Sequence, residues 1–279
     1  MDASRAAEPW FENSAPRGWW PSLRPAELWA FREVAFHLAL RDLKLRYKQT
    51  VIGVAWVVLQ PVIAAVIFTL TLGKLVDVPS DGIDYLVFVL AGLVPWTFVS
   101  AGTNAAAESL VDNRELVTKA YFPRILAPLA AVLPGLVDLI PGLCVLAVAM
   151  AIHDTAPGLP LVTLPLWIVG ALGVALGVGL WLGALNALYR DVRYTLAFIL
   201  QIWFFASPIV FPSSLIDGVG RVVYALNPMV GVIDGFRWSV VDGPPPPVAD
   251  LVSLATGILV LLGGVVYFQR AGRQIADRI

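Results

Sequence analysis

A single cysteine, Cys144, is the only thiol in this chain of 279 residues, so no internal disulfide can form. It lies in an apolar run, where it reads as a small core hydrophobe. No G-x-x-x-x-G-K-S/T string occurs: Gly73–Lys74 is followed by Leu75 and lacks the upstream glycine. The chain therefore has no P-loop of its own with which to bind ATP. It also lacks H-E-x-x-H, C-x-x-C and G-x-S-x-G, and its two histidines, His37 and His153, fall in distant segments. This leaves no basis for a metal site or a nucleophilic triad, so no cofactor is expected on this chain. Charge is scarce too: 14% of residues are charged and the net charge is −1, which gives no basic field for nucleic acid. Residues 1–25 have no apolar core of the signal-peptide kind. They carry Asp2, Glu8, Glu12, four prolines and the rings of Trp10, Phe11, Trp19 and Trp20, and read as a flexible cytosolic tail.

What the chain has in abundance is hydrocarbon. Hydrophobic residues make up 58% and the mean hydropathy is +0.79, far from soluble norms. Six runs are long enough to cross a bilayer, at roughly 51–73, 84–107, 125–151, 160–188, 195–211 and 248–268. If the N-terminus is cytoplasmic, 16 of the 19 Lys and Arg fall on that side, leaving Lys74, Arg221 and Arg237 on the other. The positive-inside rule then predicts six spans with both termini in the cytoplasm.

The chain changes solvent between Arg41 and Pro61, RDLKLRYKQTVIGVAWVVLQP. Charges crowd its first third and then stop. Upstream, Trp29, Phe36, Leu40, Leu43 and Tyr47 share one helical stripe, beside a second of His37, Arg41, Lys44 and Lys48. An apolar stripe flanked by cations predicts a helix over 26–48 lying in the membrane interface.

Several later features bear on function. Prolines interrupt the first three runs at Pro61, Pro95, and Pro128, Pro134 and Pro141; the three in one run suggest a helix that frames a cavity. Asp138 is the one carboxylate well inside a run, as either a proton relay or a hydrogen-bond anchor between proline breaks. Gly173, Gly177, Gly179 and Gly183 allow close helix approach. Between Pro208 and Pro247, pieces near 213–225 and 228–241 are too short to span. They read as re-entrant or interfacial helices, or as an external loop. The cytoplasmic stretch 108–124 carries Leu110, Leu116, Val117 and Tyr121 on a partial apolar face, with Glu115 and Lys119 paired at i,i+4. It could serve as a solvated connector or as a docking element.

Five of these segments together resemble one family. RDLKLRYKQTVIGVAWVVLQP at 41–61, ESLVDNRELVTKAYFPR at 108–124, LYRDVRY at 188–194, SPIVFPSSLI at 207–216 and LNPM at 226–229 occur in the order seen in ABC-2 type permeases of polysaccharide export. That family includes the O-antigen, teichoic acid and galactan exporters. The resemblance implies a half-transporter working as a homodimer with two copies of a separate nucleotide-binding ATPase, which would hold the ATP and Mg. It implies a lipid-linked polysaccharide as substrate and the bacterial inner membrane as location. It also implies outward gate helices between the last two spans and a coupling helix at 108–122, with Asp112, Arg114, Glu115, Leu116, Lys119 and Tyr121 as the ATPase contacts.

The expected architecture is thus an all-α integral membrane protein: a tail at 1–25, an interface helix at 26–48 and an ABC-2 type transmembrane domain at 49–279. Arg41, Lys44, Arg46 and Lys48 are candidates for an anionic headgroup, either of the substrate's pyrophosphate lipid or of the surrounding membrane lipids. A sugar path needs rings that stack on C–H faces, and Trp56, Trp96, Phe98, Trp203, Phe204 and Phe205 are available for it. Trp56 and part of the 203–205 cluster are expected to face that path. An ABC-2 exporter of another lipid or drug is the nearest alternative. A secondary transporter would show inverted repeats around ionisable groups, and a membrane transferase would show clustered acids or histidines; neither pattern is visible.

Overall fold

A computed structural model describes residues 25–48, 53–114, 123–189 and 191–278. Regular structure among these is helical throughout. Two short helices open it, α1 (Pro25–Ala30) and α2 (Arg32–Tyr47), followed by α3 (Gly53–Phe68), whose last turns widen into a π-helical segment at Thr69–Leu75. Next come α4 (Tyr85–Asp112), α5 (Leu126–Val132), α6 (Pro134–Ile152), α7 (Leu164–Leu188) and α8 (Asp191–Phe205). The chain ends in α9 (Gly218–Tyr224), α10 (Pro228–Val241) and α11 (Asp250–Arg278).

Among the described residues five stretches are long and apolar enough to cross a membrane: Ala55–Leu75, Tyr85–Asp112, Leu126–Ile152, Leu159–Leu188 and Asp250–Ala271. The protein is a multi-pass membrane protein. The run expected at 195–211 forms α8, which stops at Phe205 after 15 residues. Its end is local chemistry: Ser207 precedes Pro208, which disfavours helical backbone at the serine, and the Ser207 hydroxyl donates to the Trp203 carbonyl at 2.8 Å. The proline-rich third run behaves similarly. Pro134 has no N–H to offer, so the join between α5 and α6 tightens to three-residue hydrogen bonds, Leu133 N–H to Ala130 and Leu136 N–H to Leu133.

The core forms around α4, which is buried along most of its length and packs against α3, α5, α6, α7, α8 and α10. On its far side α7 is held between α4 and α11 by small residues. Gly177 lies against the Leu261 backbone, while Gly179 and Gly183 lie against Ala106 and Ala107 of α4. The glycine pattern thus splits into two faces of one helix. The Trp181 and Tyr267 rings, stacked at 4.6 Å, and the Trp181 Nε1–H donated to the Val260 carbonyl close the α7–α11 contact.

A smaller apolar cluster seats α2. Ala35, Leu38 and Ala39 pack with Leu126, Ala127 and Ala130 of α5, Leu180 and Ala184 of α7, and Phe268 and Ala271 of α11. The small side chains bring α2 close to the bundle. Trp29 and Phe36 point away from it, 70% and 63% exposed, as expected of rings meant for acyl chains. The protein-facing stripe is the one that the sequence pattern concealed.

Candidate conduit wall and coupling surfaces

The aromatic residues divide into three groups. Trp96 of α4 meets Trp203 and Phe204 of α8 edge-on, each at 5.6 Å between centroids. Phe204 in turn stacks on Phe68 of α3 at 5.9 Å and meets Phe205 at 5.1 Å. This cluster joins three helices, and Phe68 was not among the sequence candidates. Trp96 is buried and supports the group from behind, while Phe205 is exposed and Trp203 and Phe204 are half-buried. Phe98 is buried elsewhere, beside Gly135 of α6. Trp56 is exposed near the start of α3. Of the six candidate rings, those with open faces are therefore Trp56 and Phe205, with parts of Trp203 and Phe204.

Of the four basic candidates on α2, two are engaged within the protein. Arg41 donates to the Asp42 carboxylate at 2.7 and 3.0 Å and to Asn113 Oδ1 at 2.5 Å. Arg46 pairs with Asp138, and the Tyr47 hydroxyl donates to the same carboxylate. Burial, reinforced by that hydrogen bond and the Asp138 charge, pushes the Tyr47 pKa up to about 12, so the phenol keeps its proton to donate. Lys44 and Lys48 are exposed. Asp138, midway along its run, is thus met by the last turn of α2, a contact between residues 92 positions apart that no local pattern announces.

The end of α4 is fastened from three sides. Asn113 caps it and accepts from Arg41 of α2. Asn186 of α7 donates to the Ala107 carbonyl at 2.9 Å. Arg193 of α8 pairs with Glu108 at 3.3 Å. Of the coupling candidates, Asp112 and Arg114 flank Asn113 and are exposed. Glu115, Leu116, Lys119 and Tyr121 lie outside the described residues.

The opposite end of α4 carries the polar network that sequence reasoning missed. Short helices α9 and α10 fold back there, and α10 is buried against α4, α7 and α11. Arg221 of α9 donates to Asp234 of α10 at 2.9 Å and to Asp250 of α11 at 2.5 Å, all three side chains nearly buried. Ser213 adds a hydroxyl to Asp234 at 2.5 Å. Arg237 lies across Gly92, its guanidinium 3.6 Å over the Phe88 ring, and donates to the Phe88 and Ile209 carbonyls at 3.2 and 2.7 Å. Burial lowers its pKa to about 10, which still leaves it charged at neutral pH. The Tyr85 hydroxyl holds the Val210 carbonyl at 2.7 Å, and Asn227 holds that of Ala206 at 2.9 Å. The exit from α8 is thereby tied at three successive points. The signals in the sequence were the Asn-Pro start of α10 and the i,i+3 spacing of Asp234 and Arg237, which had entered only as loop composition and a charge count.

Comparison with known proteins fits this arrangement. Over 238 residues, 85% of the chain, it is 28% identical to the O-antigen export system permease protein RfbA of Myxococcus xanthus, covering 91% of that relative. It is 26% identical over 240 residues to the O-antigen export system permease protein RfbA of Klebsiella pneumoniae, with the same coverages. Residues 33–241, well over half of the chain and including α2, the aromatic cluster and the folded-back helices, match the model of the ABC-2 type transporter family. The chain belongs to the ABC-2 type transporter family, as a transport component and not an enzyme.

Proposed function

We propose that this chain is the transmembrane subunit of an ATP-driven exporter that carries a lipid-linked polysaccharide across the bacterial inner membrane. The observation that carries this reading is its alignment along 85% of its length with permeases of O-antigen export. A chain without a P-loop needs an ATPase partner, and two copies of each subunit complete the transporter. In this reading α8 is the sixth crossing, both termini are cytoplasmic, and α9 and α10 are the outward gate. Two copies meeting through the exposed faces of α3 and α8 bring Trp56, Phe205 and the half-buried rings of Trp203 and Phe204 to the path. Lys44 of α2 and Lys48 just after it are the exposed cations that an anionic headgroup would meet first, and Arg41 and Arg46, also exposed, brace the helix through their partners.

Movement powered by ATP enters through 108–122, which links α4 to α5. The test is the purified permease with its ATPase in vesicles loaded with lipid-linked glycan. Glycan crosses only with ATP and both subunits. Exchanging the charges in Arg114→Glu/Glu115→Arg weakens assembly or leaves hydrolysis unresponsive to the permease, without changing membrane insertion. Export without an ATPase would overturn the function. Unchanged assembly, hydrolysis and export in the double variant would move docking to α2.

Asp138 is read as an anchor. Removing it in Asp138→Ala takes an acceptor from both Arg46 and Tyr47 and should cost about 1–3 kcal/mol, seen as a lower melting temperature. Asp138→Asn keeps hydrogen bonds and should export with an unchanged pH profile. A stably folded Asn variant that fails to export would instead make Asp138 a proton relay.

A further inference from the structure

We propose that Asn227 is a positioning residue of the translocation path, because one carboxamide oxygen holds both the Trp203 indole and the first turn of α10. This rests on reading the aromatic cluster as part of the wall of that path.

Trp203 Nε1–H donates to Asn227 Oδ1 at 2.8 Å, and the Met229 backbone N–H donates to the same oxygen at 3.0 Å. Asn227 Nδ2 donates to the Ala206 carbonyl at 2.9 Å and to Ser207 Oγ at 3.1 Å. A side-chain amide has two acceptor sites and two N–H groups, so all four are used. Three go to the end of α8 and its exit, and the fourth caps α10. The Asn227 carbonyl accepts from Ser253 Oγ of α11 at 2.8 Å, and that buried hydroxyl accepts the Gly231 N–H at 2.8 Å. Asn227 is therefore where α8, α10 and α11 meet.

A capping residue moves with the helix it caps. When α10 shifts, Oδ1 shifts too, and the indole must follow or lose its tether. Its remaining ring neighbour in that direction, Trp96, is buried on α4 and meets it edge-on at 85°, a contact that permits sliding in the plane. A sugar stacks on the flat face of a ring, so the tilt of Trp203 decides whether that face is presented. Asn227 thus makes the ring's orientation depend on the position of α10, and the gate and the wall of the path change together.

The substitutions separate this role from ordinary helix capping. Asn227→Ser keeps a capping oxygen for Met229 but is too short to reach Trp203, and Asn227→Asp keeps an acceptor for both; each loses the two Nδ2 donations to the exit of α8. At equal protein level and equal assembly with the ATPase, the Asp variant, which keeps the Trp203 acceptor, should export faster than the Ser variant. The Ser variant should fall about tenfold, the scale of one well-placed hydrogen bond. Trp203→Phe should show the same defect, and Asn227→Ser combined with Trp203→Phe should be no worse than either alone. If Ser and Asp both match wild type and only Asn227→Ala is impaired, Asn227 is a cap and the proposal fails. A readout independent of transport is fluorine NMR of permease labelled with 5-fluorotryptophan, with the Trp203 resonance assigned by Trp203→Phe. That resonance should shift in the Ser variant. A resonance that does not respond overturns the tether, whereas a responsive one in a wild-type complex that moves no glycan overturns the export reading alone.

Discussion

Arg221→Leu should destabilise the permease by about 3–5 kcal/mol, because it strands two buried carboxylates at once. Arg221 is the bridge between Asp234 and Asp250, at 2.9 and 2.5 Å, with all three side chains at or below about a tenth exposed. Water cannot compensate the charges that remain. Asp234 keeps Ser213 and a distant Arg237 Nη1 at 3.9 Å, whereas Asp250 Oδ2 already has no hydrogen-bond partner. The expected result is a large drop in the thermal transition of the detergent-solubilised protein, with α9 and α10 the first segments to become protease-sensitive. Adding Asp250→Leu to Arg221→Leu should recover much of the loss, since a buried pair replaced whole by apolar groups is often neutral. Equal instability of the single and double variants would show that the network is held by something other than charge compensation.

The second large effect is expected at Gly177. A Cβ there would sit 2.8 Å from Leu261 Cα and 2.9 Å from its backbone nitrogen, atoms that cannot swing aside. Gly177→Val should force α7 and α11 apart at a cost of about 3 kcal/mol, the upper end for overpacking. Gly173, one turn earlier on the same face, is the control: its nearest neighbour is a Leu261 methyl at 3.8 Å, so Gly173→Ala should be nearly neutral. Comparable losses at both positions would mean that the cost lies in helix propensity or insertion and not in contact with α11.

Much of the bundle was legible because the membrane leaves the backbone few choices. Length and apolarity marked the five crossings to within a few residues, and the density of cations ahead of Val51 marked α2. What escaped were features made by residues far apart in the chain. Asp138 looked solitary because its partners are Arg46 and Tyr47. Arg221 and Arg237 looked like stray outward charges because the carboxylates and carbonyls that neutralise them come from α4, α10, α11 and the turn after α8. Ring chemistry was readable, but exposure was not: Trp96 and Phe98 are as aromatic as Phe205, and only packing puts the first two inside. The run at 195–211 extends past the helix because hydropathy does not register that Pro208 disfavours helical backbone at Ser207.

The brevity of α8 has a consequence for the lipid around it. Fifteen helical residues at 1.5 Å each reach about 22 Å, well short of a hydrocarbon layer about 30 Å thick. In the proposed six-span arrangement α8 would end short of the headgroup level, where Asn227 and Arg237 bind the carbonyls of Ala206 and Ile209 that follow it. A bilayer meets such a mismatch by thinning locally. In the proposed exporter, thinning beside α8 would shorten the distance over which a charged carrier headgroup must leave water. In that reading the membrane itself would lower part of the barrier that ATP is used to overcome.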